Sequence, residues 1–256
     1  MNRFTHARNL VEERSDDTYP TFTYSVLEQI IAGQVYMDDS NRSVLIGTDS
    51  GIFVVAGART NSAFHHIISE VYNTRIKENK RFTLFSPSNE WTNVIHNLFG
   101  DQLRQLDRYQ FDFNADKFLT LNREELSNDY SIQKINQTLM TKSEEFNEPY
   151  FQEYWGSVAN FMKSGVGFGL KYHDAIVSEC VSIFASTQYA EIDIATQSKF
   201  RGRGLAQKIA GKFIEHCLEK KIHPRWDCDV SNGASIKLAD RLGFENPTTY
   251  AVFVRK

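Results

Sequence analysis

The sequence has few of the features that place a protein in a specialised class. Its 256 residues include three cysteines, Cys180, Cys217 and Cys228, which are widely spaced and odd in number. They match no zinc or redox motif and suit a reducing cytoplasm. No apolar run is long enough to span a bilayer, and no apolar signal-peptide core follows the N-terminus. We therefore expect a cytoplasmic protein with no metal site and no membrane segment.

An excess of charge of either sign is also missing. Lysine and arginine number 29 against 32 aspartate and glutamate residues, which gives a formal net charge of −3. This balance provides no long-range attraction to nucleic acid or to an anionic membrane, so we expect neither as a partner. The length is compatible with one large domain or two smaller ones.

A glycine-rich stretch, Arg201-Gly202-Arg203-Gly204-Leu205-Ala206, is the most informative part of the chain. Residues 190–196 before it alternate between apolar and polar side chains, which predicts a strand. After it, apolar residues recur at every fourth position from Leu205 to Cys217, which predicts an amphipathic helix. A strand, a glycine turn and a helix N-terminus in this order bring unpaired amides and the positive end of a helix dipole together. The sequence therefore predicts an anion site, most often one for phosphate.

Two familiar phosphate loops are excluded by single residues. A P-loop ends in Gly-Lys-Ser/Thr, whereas this loop ends in Gly204-Leu205-Ala206. A dinucleotide fingerprint needs a third glycine or a small residue where Gln207 stands. The remaining pattern, Arg-x-x-Gly-x-Ala, resembles the acetyl-CoA pyrophosphate loop of the GNAT superfamily of N-acetyltransferases. On the loop alone, an ordinary glycine-rich turn remains an alternative.

A second pattern downstream strengthens the resemblance. Residues 224–230 are predicted to form a strand, and Asn232, Ser235 and Leu242-Gly243-Phe244 then follow at the spacing of the second GNAT signature. The resemblance covers roughly residues 130–256. Trp155 and the strand around Trp226 are similar to those of the bacterial GNAT branch that includes the zwittermicin A resistance acetyltransferase.

The resemblance implies an α/β (α+β) GNAT fold, with a mixed central sheet and helices on both faces. It implies acetyl-CoA as co-substrate, with no metal. The residues that it implies for cofactor binding are Arg201, Gly202, Arg203, Gly204, Leu205 and Ala206 for the pyrophosphate, Ile194, Ala195 and Thr196 for the thioester carbonyl, and Asn232 and Ser235 beside the pantetheine arm. For Asn232, a plain helix cap is the alternative.

Acetyl transfer to an amine requires a base, because the amine must lose a proton before it attacks. Glu191 and Asp193 lie on one face of the predicted strand and are the candidate catalytic residues. Binding of the acceptor, or simple solvation, is the alternative role for either carboxylate. Many family members carry a tyrosine that acts as the acid where this sequence has Ala239. The identity of the group that protonates the leaving thiolate therefore stays open.

We therefore expect an N-acetyltransferase that moves the acetyl group to a small amine by direct attack in a ternary complex. A non-catalytic acyl-CoA sensor, suggested by Ala239, and a partner-binding protein are the alternatives.

The N-terminal part of the chain repeats the order of the C-terminal part. Ser88-Asn89 and Ser231-Asn232 lie at the same offset as Gly100 and Gly243. We predict two tandem GNAT-like halves, residues 1–118 and residues 119–256. The first half is degenerate, because residues 58–63 contain no glycine where the loop would lie. Packing, contact in a homodimer, or one wall of the acceptor site are the roles open to this half.

Further elements are predicted in the second half. Ser131–Met140 and Phe151–Met162 have helical spacing, and the aromatic stripe of the second segment indicates core. Gly165–Leu170 and Ala175–Ala185 are predicted to form a hairpin, because no helix follows the first of them.

Overall fold

A computed structural model describes residues 2–13, 17–121 and 126–256 of the chain. It divides into two compact units, one of Met1–Tyr109 with Thr249–Lys256 and the other of Gln110–Thr248. The division falls within the strands Leu103–Phe113 and Phe244–Arg255. Each unit is a mixed sheet with helices packed against it, so the predicted α/β class is confirmed.

Among the described residues up to 113, the elements are four helices and five strands, leaving single 3₁₀ turns aside. They are α1 (Arg3–Glu12), α2 (Thr21–Leu27), β1 (Gly33–Met37), β2 (Ser43–Thr48), β3 (Ile52–Gly57), α3 (Ser62–Lys77), β4 (Thr83–Phe85), α4 (Asn89–Phe99) and β5 (Leu103–Phe113).

In the described residues after 113, the elements are six helices and six strands, leaving single 3₁₀ turns aside. They are α5 (Ala115–Leu119), β6 (Tyr130–Lys134), α6 (Gln137–Met140), α7 (Glu148–Trp155), α8 (Val158–Ser164), β7 (Gly167–Tyr172), β8 (Ala175–Ala185), β9 (Tyr189–Thr196), α9 (Leu205–Glu219), β10 (His223–Asp229), α10 (Gly233–Asp240) and β11 (Phe244–Arg255).

The first unit is built on a sheet in which β1, β2 and β3 are antiparallel and β4 lies parallel to β3. The end of β11 pairs antiparallel with β4. Every residue of β2 and β3 is buried, as expected of apolar strands covered on both faces. Gly51 closes the hairpin between them with a φ of +92°. A side chain there would also collide with the Arg81 carbonyl, so the turn requires glycine.

The second unit begins as an antiparallel meander of β6, β7, β8 and β9. The helix α9 then crosses over, and β10 returns parallel to β9. Since side chains alternate across a sheet, the two faces of this meander differ. Phe168 stacks edge-on with His216 of α9 on one face. Gly167 and Gly169 face Phe161 of α8 and Leu139 of α6 on the other face.

One predicted helix is wrong in its first half. Ser131–Met140 is not a single helix, because residues 130–134 form β6 and pair with β7. Only Gln137–Met140 is helical, and Asn136 caps it by accepting a hydrogen bond from the Leu139 amide. The pairing of an edge strand depends on a distant segment, which local periodicity does not reveal.

A second predicted helix is interrupted. Within Phe151–Met162, α7 ends at Gly156, which has a φ of +73°, and Ser157 caps α8. A left-handed glycine followed by a capping serine is a stop signal and a start signal side by side. The aromatic residues of this segment are core, as predicted, because Phe151, Trp155 and Phe161 are all buried.

Candidate active site

The glycine-rich stretch forms an open turn between β9 and α9. A single 3₁₀ turn, Ser198–Phe200, leads into it, and α9 begins directly after Gly204. Gly202 and Gly204 have φ values of +75° and +74°, a region that residues with a Cβ seldom adopt. No atom lies within 4 Å of where a Cβ would stand on either glycine. The backbone of this turn is therefore open to an approaching group.

The backbone amides of this turn lack a hydrogen-bond acceptor among the residues that the structure describes. This holds for the N–H groups of residues 202–207. The first bond of the helix runs from the Lys208 amide to the Gly204 carbonyl at 3.1 Å. Free amides at the positive end of a 15-residue helix can bind an anion.

Cationic side chains surround the same turn. Arg201 Nε donates to the Thr196 carbonyl at 3.0 Å, and Arg203 Nη2 donates to the Lys199 carbonyl at 3.2 Å. The Arg203 guanidinium and the Lys199 ammonium lie 5.0 Å and 5.4 Å from the centre of the Phe200 ring. These contacts hold the positive charges beside the free amides, where they favour a negatively charged ligand.

Strands β9 and β10 separate next to this turn. They pair in parallel at only three positions, the last of which joins Arg225 to Glu191. The Gln197 amide donates to the Val177 carbonyl on the opposite neighbour, β8, at 3.0 Å. Since antiparallel residues face their partner alternately, Ala195 also faces β8, while Ile194 and Thr196 direct their amides towards the β10 side. Two predicted carbonyl-binding amides therefore lie along the edge from which β10 has separated.

The two predicted catalytic carboxylates lie on the face of β9 that α7 covers. Asp193 Oδ2 accepts a hydrogen bond from the Tyr150 hydroxyl of α7 at 2.8 Å. Burial, and then the negative charge of Asp193, raise the pKa of Tyr150 well above its usual value. Tyr150 therefore stays protonated and acts as a donor that orients Asp193. Glu191 lies two residues earlier on the same face and is half-buried.

The predicted pantetheine residues have internal hydrogen bonds. Asn232 caps α10, because its Oδ1 accepts from the Ser235 amide at 3.1 Å. Ser235 Oγ accepts from the indole N–H of Trp226 at 2.9 Å. Ala239, which stands at the tyrosine position of many relatives, is completely buried. The helix cap that the sequence leaves as an alternative for Asn232 is therefore present.

A buried carboxyl group that the sequence reading missed lies close to this turn. Glu179, in the middle of β8, is only 5 % exposed and lines a cavity of about 390 Å³. Its Oε2 accepts a hydrogen bond from Ser143 Oγ at 2.7 Å. Burial raises the pKa of Glu179 to about 7; the charge of Glu145 also raises it, and the Ser143 bond lowers it. A lone charged residue inside the apolar run 175–185 was the available signal, because an unpaired buried charge is costly.

The described residues contain neither a candidate metal site nor a membrane-spanning helix. Among residues 2–13, 17–121 and 126–256, no three His, Cys, Asp or Glu side chains are grouped closely enough to hold a metal ion. Cys180, Cys217 and Cys228 are free and buried. Over the same ranges, we find no helix with the length and apolar character needed to cross a membrane.

Comparison with known proteins identifies the family. The family model for GNAT acetyltransferases matches residues 11–253, which is nearly the whole chain. The chain belongs to the GNAT acetyltransferase family. The resemblance seen in the turn and in α10 is thus confirmed.

Similar proteins agree with this assignment. The "Uncharacterized N-acetyltransferase YdfB" of Bacillus subtilis (strain 168) is 42 % identical over 242 residues, covering 93 % of this chain and 92 % of that protein. The crystal structure of a GCN5-related N-acetyltransferase-like protein from Streptococcus suis has 24 % identity and a TM-score of 0.73, with 99 % and 98 % of the two chains covered. A tandem GNAT protein from the clavulanic acid biosynthesis pathway has 12 % identity and a TM-score of 0.66, with 98 % and 93 % covered. At these identities, both structures show the fold alone.

Membership of the family fixes the general activity. GNAT acetyltransferases use acetyl-CoA as co-substrate and transfer its acetyl group to an acceptor. This GNAT protein is accordingly an acetyltransferase.

Proposed function

We propose that the second half of the chain, residues 119–256, binds acetyl-CoA and transfers its acetyl group directly to the amine of a small acceptor in a ternary complex. The observation that carries the proposal is the row of amides at residues 202–207, which find no acceptor in the described part of the chain. They lie at the N-terminus of α9 and beside Arg201 and Arg203. A pyrophosphate offers several anionic oxygens to these donors. The half-buried strand edge at Ile194 and Thr196 then lies where it can receive the thioester.

The carbonyl of the acetyl group needs donors while its oxygen becomes negatively charged. We assign this role to the amides of Ile194 and Thr196, which face the side where β10 has separated. The small side chain of Ala195 lies on the face of β9 that also carries Glu191 and Asp193. Glu191 and Asp193 are the proposed catalytic carboxylates on that face, with Asp193 held by Tyr150. Asn232 Nδ2 and the start of α10 flank the pantetheine arm. No metal has a role in this scheme.

The first half of the chain, residues 1–118, is proposed to be a degenerate repeat that binds no acetyl-CoA. Its order β3, α3, β4, α4, β5 matches β9, α9, β10, α10, β11. At the corresponding helix N-terminus, the Asn61 side chain accepts from the Phe64 amide at 3.2 Å and donates to Ser40 at 3.1 Å. The Ser40 amide donates to the carboxylate of Asp38 at 3.0 Å. In the first half, a side chain therefore caps the helix N-terminus and a carboxylate lies nearby. Both features disfavour the binding of a pyrophosphate, which needs free amides and is repelled by negative charge.

The test is calorimetric titration with acetyl-CoA of the parent protein and two matched variants, Gly204→Asn and Gly204→Asp. Asparagine and aspartate both tolerate a positive φ and have nearly the same size, so they differ in charge alone. A parent that binds acetyl-CoA, with binding kept in the asparagine variant and lost in the aspartate variant, supports the assignment of the turn. A parent that does not bind acetyl-CoA refutes it.

The three free buried cysteines are the reason that we place the protein in a reducing cytoplasm.

A further inference from the structure

The cavity beside the glycine-rich turn has an acidic wall and a basic wall. The chain between α6 and α7 contributes one side, and the turn after β9 contributes the other. Its charged lining residues are Lys142, Glu144 and Glu145 on the first side, Lys199 and Arg201 on the second, and Glu179 of β8. The volume of about 390 Å³ lies within the range of small-molecule sites. The acidic residues of this cavity can bind a cationic group of the acceptor. The cationic residues of the turn then remain available to bind phosphate.

Glu179 differs from the other acids of this cavity because it is buried and only half satisfied. Glu144 and Glu145 are exposed, whereas Glu179 is 5 % exposed. Its Oε2 is held by Ser143, whose Oγ also accepts from the Phe146 amide at 2.8 Å. Its Oε1 has no hydrogen-bond partner among the residues that the structure describes. A buried acceptor without a donor is costly, so this oxygen is expected to serve a ligand.

The position of Glu179 suits a role in acetyl transfer. From β8 it lies directly opposite Ala195 of β9, and opposite residues project from the same face of a sheet. The small Ala195 side chain leaves space above β9. The strand edge carrying Ile194 and Thr196 is only one strand further, and neighbouring strands are about 4.8 Å apart. An amine held by Glu179 would therefore lie next to a thioester held at that edge.

We propose that Glu179 is a catalytic base of this protein, and that the cavity beside it binds the primary ammonium group of the acceptor. This inference rests on the proposed function of the turn and names the acceptor class of the same site. Glu179 Oε1 takes one proton from the ammonium group and becomes a carboxylic acid. The freed lone pair of the nitrogen attacks the thioester carbon, and the carbon–sulfur bond breaks to release the CoA thiolate. The second proton of the nitrogen passes to the thiolate, and Glu179 returns its proton to water.

Ser143 is proposed to act as a positioning residue. Its hydroxyl fixes one carboxyl oxygen and leaves the other without a donor among the described residues. It also lowers the pKa of Glu179, against the effect of burial. Removal of the hydroxyl in Ser143→Ala should therefore shift the basic function to higher pH. A residue needed only for folding would not move the pH dependence.

The test measures CoA thiol release from acetyl-CoA with ethanolamine, putrescine and benzylamine as primary-amine probes. Glu179→Gln keeps the shape and the bond from Ser143 but cannot take a proton. General-base catalysis contributes about 100- to 10,000-fold, so kcat/KM for the amine should fall by this factor. Acetyl-CoA binding by calorimetry should be unchanged. In the parent, kcat/KM should rise with pH around an apparent pKa near 7. Ser143→Ala should shift this rise to higher pH, and Glu179→Gln should abolish it.

Control variants separate Glu179 from its neighbours. Glu219→Gln removes the same charge from an exposed position at the C-terminal end of α9, outside the cavity lining, and should change kcat/KM by less than about threefold, as screened surface charges do. Asp193→Asn reports on the other proposed carboxylate. A Glu179→Gln variant that keeps the parental rate and pH dependence overturns the inference. So does a parent that binds acetyl-CoA but releases no thiol with any of the three amines. A parent that fails to bind acetyl-CoA instead refutes the proposed function of the turn.

Discussion

Glu179→Gln should stabilise the protein at neutral and alkaline pH. Glu179 is buried in β8 and receives one hydrogen bond, from Ser143. Its charged form is therefore poorly solvated in the folded protein. Glutamine has the same shape and accepts the same bond from Ser143, but it has no charge to bury. The variant thus removes the cost of ionisation and leaves the packing in place.

The magnitude follows from the difference in pKa between the folded and the unfolded chain. The folded pKa of Glu179 is about 7 and the unfolded value is 4.5. Between these values the folded state binds more protons, so the free energy of unfolding falls as the pH rises from 4.5 to about 7. The stabilising contribution of Glu179 is fully present below the unfolded pKa of 4.5 and is lost above the folded pKa of about 7. A shift of this size corresponds to about 3 kcal/mol.

Calorimetric melting at several pH values, from about pH 5 to about pH 8.5, measures this effect in the parent and the variant. The free-energy difference between the two should grow by about 3 kcal/mol in favour of glutamine across this range, a change of about 6–12 °C in Tm. All other groups titrate equally in both proteins and cancel. Glu144→Gln, at an exposed position, controls for the change in net charge. A difference that stays constant with pH would refute the account of Glu179 as a poorly solvated acid.

Two further substitutions test the packing around the site. Tyr150→Phe removes the hydroxyl that donates to Asp193. The free energy of unfolding in urea should fall by about 1.5–3 kcal/mol, which is the usual contribution of a hydrogen bond to a charged group. A fall of less than about 0.5 kcal/mol would contradict the contact. Gly243→Ala places a Cβ 2.9 Å from the Asn114 carbonyl oxygen at a φ of +86°. It should therefore cost more than Gly156→Ala, whose φ is +73° with open space around it, and for which we expect about 1–2 kcal/mol; equal costs would mean that the contact relaxes freely.

The parts of the site that are local in sequence could be predicted from it. Gly202 and Gly204 have the positive φ values that a tight turn before a helix requires, and the apolar stripe from Leu205 places α9. The capping role of Asn232 is similarly local, because it depends on a residue three positions away. Such features depend on a few neighbouring residues, so their patterns persist in any context.

Features that depend on distant pairing could not be predicted in this way. Residues 130–134 form a strand because β7 lies beside them, more than 30 positions along the chain. Glu179 becomes a buried acid only because Ser143 and the cavity wall fold over it. The sequence shows a glutamate within an apolar strand, but its burial and its one bond are set by tertiary structure. Tertiary context of this kind overrides local propensity.

The most direct measurement of the central claim is the affinity for acetyl-CoA of Gly204→Asp relative to Gly204→Asn. A carboxylate about 5 Å from one pyrophosphate charge repels it by about 3 kcal/mol at the effective dielectric constant of a protein surface. The account predicts that the aspartate variant binds at least about 100-fold more weakly than the asparagine variant. Equal affinities of the two variants would contradict the account, because the pyrophosphate would then lie away from this turn.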